Sequence, residues 1–264
     1  MPFWTLSGLR RGNASTGWGI GDGDDGQEGV LGMPRFNPSS CDTSCGACAE
    51  VCPTMAITAT PGRTEPLALD YGKCVTCQLC VESCPTGALT RSHDWAFGVR
   101  NREDLQWAAN RTGGEAPQRT PASFHRSLHV RHVDAGSCNA CESELQALNN
   151  PFYNLHRLGV FFTASPRFAD LLLVTGPVTH AMRGPLLATY EAMPEPRWVM
   201  AIGTCAVAGG TAAGGEFCAS GLEGILPVDI YLPGCPPNPA AMIEAFMLLL
   251  ARKRQRVKGG HYGD

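Results

Sequence analysis

Cys74-Val75-Thr76-Cys77-Gln78-Leu79-Cys80-Val81-Glu82-Ser83-Cys84-Pro85 decides how this chain is read. Three cysteines at two-residue gaps put three thiolates on one tight turn, and a fourth follows after three residues, fixed by proline. Soft ligands converging from one loop suit iron and inorganic sulfide. In such a run the fourth cysteine serves a second, neighbouring cluster. A partner run is therefore required, and Cys41, Cys45, Cys48, Cys52 and Pro53 supply it. Structural zinc is the alternative, but it prefers paired ligands brought together from separate knuckles.

The 264 residues suit two domains, each with its own core. Thirteen cysteines exceed what a reduced protein carries unless they bind metal. A disulfide scaffold would predict a short secreted chain, yet Met1 to Gly12 contains no continuous apolar core for a signal peptide. Arg10-Arg11 runs into Gly12-Asn13-Ala14-Ser15 rather than a twin-arginine signal. The apolar stretch Ala240 to Ala251 contains Glu244 and is too short for a membrane span. The expectation is a soluble chain in a reducing compartment. A net charge of −3 gives a nucleic-acid partner no electrostatic support. The basic run Arg252, Lys253, Arg254, Arg256 and Lys258 reads as a solvated tail, residues 253–264, or as a partner contact.

Residues 1–40 are rich in Gly, Asp and Pro and read as an extended leader that wraps over its own domain or a neighbour. Residues 41–92 contain an internal repeat, Cys52-Pro-Thr-Met-Ala-Ile against Cys84-Pro-Thr-Gly-Ala-Leu. Each half reads as loop, short helix and short strand (57–60 and 88–91), and the module resembles the bacterial two-cluster ferredoxins. That resemblance implies a crossed ligand set. Cys41, Cys45, Cys48 and Cys84 hold one [4Fe–4S] cluster, and Cys74, Cys77, Cys80 and Cys52 hold the other. Three residues rather than two separate Cys41 from Cys45, so the family's usual first position falls on Asp42. The softer thiolate favours Cys41, with Asp42 ligation or a three-iron cluster as the alternative. Residues 93–125 read as a linker and docking segment, with Trp95, Phe97 and Trp107 packing the module onto its neighbour and a Gly/Pro/Thr run from Arg111 marking a boundary.

From Leu128 the pattern changes to strands (128–133, 160–163, 170–175, 198–202, 228–232) alternating with helices (141–148, 186–193, 239–252). Apolar strands alternating with helices predict an α/β domain over residues 126–252, with a parallel sheet covered on both faces. Open sheets of this kind bind ligands beyond the carboxyl ends of their strands. Cys138 and Cys141 follow the first strand, Cys205 follows the strand at 198–202, and Cys235 follows that at 228–232, each beside glycine or proline. Four thiolates from three loops would meet at one sheet edge and hold a third cubane cluster. Cys218 is then left over, as a packing or loop cysteine. His129 and His132 read as satisfied strand histidines, and His180 sits near a strand end where a partner could face it. No Ser/His/Asp set, phosphate loop or paired-carboxylate site stands out.

Ser137-Cys-Asn-Ala-Cys-Glu-Ser-Glu144, Gly203-Thr-Cys-Ala206 and Pro227-Val-Asp-Ile-Tyr-Leu-Pro-Gly-Cys-Pro-Pro237 resemble the small, proximal-cluster subunit of energy-converting [NiFe] hydrogenases of the formate-hydrogenlyase type. That family is homologous to the 20-kDa subunit of complex I. The first 110 or so residues resemble the separate ferredoxin subunit of the same complexes, so the chain looks like a natural fusion of two adjacent subunits. Complex I proteins carry adjacent cysteines where this chain has Cys138-Asn139-Ala140-Cys141, and the spaced form matches the hydrogenase branch.

The resemblance implies a flavodoxin-like sheet and an oxidoreductase subunit that is inactive alone. Its clusters relay electrons to a nickel–iron large subunit, with membrane subunits and a dehydrogenase or ferredoxin as further partners. It implies a cytoplasmic position, peripheral on the inner face of the membrane. It also places Glu142, beside Cys141, at the interface as a candidate for proton movement. Rival readings are the equivalent subunit of a quinone-reducing complex and a free-standing polyferredoxin-type carrier.

Overall fold

The computed structural model describes residues 3–11, 30–59, 67–108 and 127–263. Most of the leader's Gly/Asp run and the linker run from Arg111 lie outside the described residues. Helix α1 spans Phe3–Arg11, with Leu6 and Leu9 exposed.

The ferredoxin-like module comprises β1 (Arg35–Phe36), α2 (Ala47–Glu50), β2 (Ile57–Thr58), β3 (Ala68–Leu69), α3 (Leu79–Glu82) and β4 (Leu89–Thr90). Both halves of the repeat run loop, one-turn helix, two-residue strand, as the sequence predicts. Their strands do not pair with each other. Strand β2 pairs antiparallel with β3, and β4 pairs antiparallel with β1. Such short strands need partners for their backbone groups, and one partner comes from residues 35–36, within the stretch read as a leader. Met33, Phe36, Ile57, Leu69, Tyr71 and Leu89 fill the space between the two pairs, and the Tyr71 hydroxyl donates to the Pro34 carbonyl at 2.9 Å.

The second domain contains β5 (Leu128–Asp134), α4 (Ala140–Ala147), β6 (Val160–Phe162), β7 (Leu171–Thr175), α5 (His180–Glu191), β8 (Trp198–Ile202), α6 (Thr204–Ala208), β9 (Ile230–Leu232) and α7 (Pro239–Leu249). All five strands are parallel, in the order β6-β5-β7-β8-β9. This is the flavodoxin-like order, with its switch point between the first and third strands of the domain. Every residue of β7 and β8 is buried, which is why those strands read as unbroken apolar runs rather than alternating ones. Helix α5 begins at His180, well before the predicted Leu186, and carries Pro185 inside it. Helix α7 ends at Leu249 rather than Arg252. Ala251 turns left-handed, and the Arg252 and Lys253 amides both return to the Met247 carbonyl.

The C-terminal stretch is folded, not a solvated tail. Lys253 pairs with Glu244 of α7, and the Arg252 guanidinium donates to the Leu158 carbonyl at 2.6 Å. Strands β10 (Val257–Lys258) and β11 (His261–Tyr262) form a hairpin. The hairpin clasps the segment after the module: Gly260 N–H donates to Asp104 O at 2.7 Å, and Tyr262 stacks on Phe97. That segment docks on this chain's own sheet, since Val99 and Tyr231 of β9 exchange backbone hydrogen bonds at 2.9 and 2.8 Å. Its Trp95 lies in the core under one face of the sheet, with α7. Its Phe97 and Leu105 lie in the core that joins the other face to the module. No helix among the described residues is long and apolar enough to cross a membrane.

Arg102 and Asp70 hold the turn that delivers Cys74. Two parallel guanidinium–carboxylate bonds of 2.8 and 2.7 Å join them, and Asp70 also accepts from Gly72 N–H at 2.9 Å. Both side chains are largely buried, so Arg102→Ala strands a buried carboxylate and should destabilise the fold by about 3 kcal/mol. Denaturant unfolding measures this. Adding Asp70→Asn should cost less than the sum of the two single changes.

Candidate metal centres

Two four-thiol sites emerge from the crossing of the repeat. Cys41, Cys45, Cys48 and Cys84 line one pocket, with Asp42 at its edge. Cys52, Cys74, Cys77 and Cys80 line another. Each half therefore lends its last cysteine to the other half's loop. Among the described residues no group of three or more His, Cys, Asp or Glu is placed to hold a single metal ion. The thiols ring pockets rather than a point, which suits a cluster of several metal ions bridged by sulfide.

Burial pushes Cys48 up to about 11, with Cys41, Cys84 and Cys45 adding to it. Burial pushes Cys74 up to about 12, with Cys80, Cys52 and Cys77 adding to it. These mutual effects follow the crossed sets. Bound iron would reverse the balance by stabilising the thiolates.

At Cys84 burial also works upward, but the amides of Leu89, Thr86 and Ala88 and the Thr86 hydroxyl outweigh it and lower the pKa. The repeat shows again in these details. Thr54 and Thr86 place their hydroxyls against Cys52 and Cys84 at 3.9 and 3.7 Å. Three residues beyond each cysteine the backbone turns left-handed, at Met55 (φ 52°) and Gly87 (φ 66°). Glycine makes that turn without strain and Met55 does not. Asp42 is occupied elsewhere: its carboxylate accepts from the Ser44 amide at 2.9 Å and the Ser44 hydroxyl at 2.7 Å. Cys41 lines the same pocket as Cys45, Cys48 and Cys84, and its thiol is pushed up by burial and then by Cys84, Cys45 and Asp42.

The third constellation sits at the carboxyl edge of the sheet. Cys138 lies in the loop after β5, Cys141 in the first turn of α4, Cys205 in α6 and Cys235 in the loop after β9. Burial raises Cys141 to about 12, followed by Glu142, Cys205, Cys235 and Cys138. Burial raises Cys205 to about 11, followed by Cys235, Cys138 and Cys218. Around Gly203, where a Cβ would lie 2.7 Å from Cys141 Sγ and 3.7 Å from the Gly234 carbonyl, the neighbours of Cys205 and Cys235 meet Cys141; Cys218 donates to the Ala212 carbonyl at 3.1 Å. In Cys77–Cys80 and Cys138–Cys141 alike, the residue after the first cysteine is left-handed, Gln78 and Asn139.

Glu142 does not stand alone. It accepts from Ser137 Oγ at 2.6 Å and from the Thr175 hydroxyl, and His132 Nε2 lies 3.6 Å from it. Thr175 Oγ1 is also 2.9 Å from His132 Nε2. Burial lowers the His132 pKa, against the pull of Glu142 and Asp134. The sequence reading missed this use of His132, because β5, α4 and β7 meet only in the fold. His129 stacks on Phe161 beside Asp170, and His180 Nε2 lies 2.9 Å from the Glu216 carbonyl.

Two crossed thiol pockets joined to a flavodoxin-like sheet with thiols at its carboxyl edge define an iron–sulfur electron-transfer protein. Residues 40–88 match the 4Fe-4S dicluster domain, which implies two [4Fe–4S] clusters, and residues 138–249 match the NADH ubiquinone oxidoreductase 20 Kd subunit. The chain is 42% identical to the probable membrane-bound hydrogenase subunit mbhJ of Pyrococcus furiosus, over 51% of this chain and 80% of that protein. It is 41% identical to formate hydrogenlyase subunit 7 of Escherichia coli, over 53% of this chain and 54% of that protein. Among solved structures it is similar to a chain of the archaeal membrane-bound sulfane sulfur reductase, at 33% identity and a TM-score of 0.42, covering 48% of this chain and 72% of that one. The chain belongs to the NADH ubiquinone oxidoreductase 20 Kd subunit family, the electron-transfer subunits of complex I and the complex-I-like hydrogenases.

Gly203 tests the third constellation. Its φ is +88°, and a Cβ there would lie 2.7 Å from Cys141 Sγ. Gly203→Ala should therefore cost the protein one cluster's worth of iron and sulfide and leave the two module sites loaded. Chemical iron and sulfide determination checks this.

Proposed function

We propose that this chain is the electron-transfer subunit of a membrane-associated, complex-I-like [NiFe] hydrogenase. In this reading it holds three [4Fe–4S] clusters and passes electrons between a donor and a large catalytic subunit. The observation that carries the reading is the third four-thiol constellation, built with the spaced pair Cys138 and Cys141 and set directly against the Cys74 turn of the module. The hydrogenase and formate hydrogenlyase names of the two relatives support this branch over the quinone-linked one.

Cys41, Cys45, Cys48 and Cys84 hold the first cluster in this reading. Cys52, Cys74, Cys77 and Cys80 hold the second, and Cys138, Cys141, Cys205 and Cys235 the third. A bound cubane supplies one-electron chemistry with a potential set by burial and by hydrogen bonds to its sulfurs. The chain provides both. The Ala56 amide donates to Cys52 Sγ at 3.2 Å and the Thr76 amide to Cys74 Sγ at 3.4 Å.

The order of the sites follows from packing. Helix α6, which carries Cys205, packs against the turn Tyr71–Lys73 that leads into Cys74. The Cys74 site is thus the middle one, and the Cys41 site faces the donor. Glu142, tied to Ser137, Thr175 and His132, is the candidate group for proton movement beside the large subunit. Attachment to the membrane is through partner subunits.

Iron, acid-labile sulfide and nickel in the native complex, followed by a hydrogen-evolution assay, test the proposal. The expected result is about twelve iron and twelve sulfide for this chain, with nickel and hydrogen evolution from its partner. The same clusters without nickel or hydrogen would move the assignment to the quinone-linked branch. About eight iron would remove the third site.

A further inference from the structure

Thr204 is the first residue of α6, follows the left-handed Gly203, and is only 1% exposed. The N-cap position of α6 belongs to Gly203, and the Thr204 hydroxyl is bonded across the fold. Its Oγ1 donates to the Cys74 carbonyl at 2.8 Å, across 130 residues of chain, and accepts from Gly234 N–H at 3.1 Å. Its own amide donates to the Gly234 carbonyl at 2.9 Å. One buried hydroxyl therefore joins the backbone of a middle-site cysteine to the residue before Cys205 and the residue before Cys235.

We propose that Thr204 is the positioning residue that holds the middle site against the third site and carries the electronic contact between them. This rests on the three-cluster reading above. In the transfer it serves, one electron leaves the Cys74 site and one arrives at the Cys205–Cys235 site, with no proton or heavy atom moved. A hydroxyl that donates to one backbone and accepts from the other replaces a van der Waals gap by two hydrogen bonds. Its burial excludes water that would make the distance vary. A valine in its place has nearly the same shape but leaves the Cys74 carbonyl and the Gly234 amide unpaired, a costly loss in a buried position.

The test compares Thr204→Val and Thr204→Ser in the native complex, with iron and sulfide first confirming three clusters in the unaltered protein. If the third cluster is missing there, the functional reading fails, and this inference with it. If three are present, Thr204→Val should raise hydrogen exchange at the Gly234 amide roughly tenfold. It should also weaken the spin–spin splitting between middle and third clusters in the EPR spectrum of the reduced protein, and remove the fast phase of electron arrival at the third cluster after rapid mixing. Thr204→Ser should retain all three properties. Unchanged splitting and an unchanged fast phase in Thr204→Val, with or without faster exchange at Gly234, would overturn the inference.

Discussion

Four thiols gathered in a desolvated pocket oppose one another's ionisation, and the rest of this structure depends on that constraint. Burial and neighbouring sulfur raise Cys48, Cys74, Cys80, Cys141 and Cys205 well above an ordinary thiol. Only strong local positive charge makes such thiolates favourable, so binding iron and completing the fold are linked equilibria. The chain meets the constraint with very short elements. Helices α2 and α3 are single turns, too short to be stable alone, and the strands around them are two residues long. Their geometry is held by paired backbone groups, by the Asp70–Arg102 pair and by the sulfurs themselves.

The module and the sheet domain are not beads on a string. Leu172 and Val174 of β7 and Val199 and Ala201 of β8 belong to the same buried cluster as Phe36, Ile57 and Leu89 of the module. The alternate residues of those strands, including Leu171, Leu173, Met200 and Ile202, face α7 in a second cluster. The sheet thus serves as a wall between two cores, one of which it shares with the module. This explains why β7 and β8 are apolar on both faces. It also keeps the second and third thiol sites at a fixed spacing, because moving one against the other would open a continuous core.

Much of this was legible in the sequence. The resemblance of the cysteine runs to the two-cluster ferredoxins implied the crossed pairing, and the placement of Cys138, Cys141, Cys205 and Cys235 after apolar strands led to the expectation that they meet at one sheet edge. The strands from Leu128 to Leu232 were readable because parallel strands covered on both faces have a distinctive composition. What escaped the reading was tertiary. The basic residues after Leu249 look like a solvated tail until Glu244, Leu158 and Tyr262 are seen beside them. Nothing local says that Arg35–Phe36 pairs with Leu89–Thr90. His132, Thr175 and Glu142 come from three elements that share no sequence pattern, and nothing near Thr204 in the sequence points to the Cys74 carbonyl that its hydroxyl meets.

The hairpin at β10–β11 also bears on the order of assembly during synthesis. Gln255 reaches Asp104 across 151 residues, and the Gly259 amide reaches it across 155. The eight module cysteines leave the ribosome long before these closing contacts exist, and before α6 can cover Cys74. N-terminal units generally fold first as a chain emerges. The Cys74 face of the module therefore stays open until α6 has been made, and the contacts of the hairpin with Asp104 form later still.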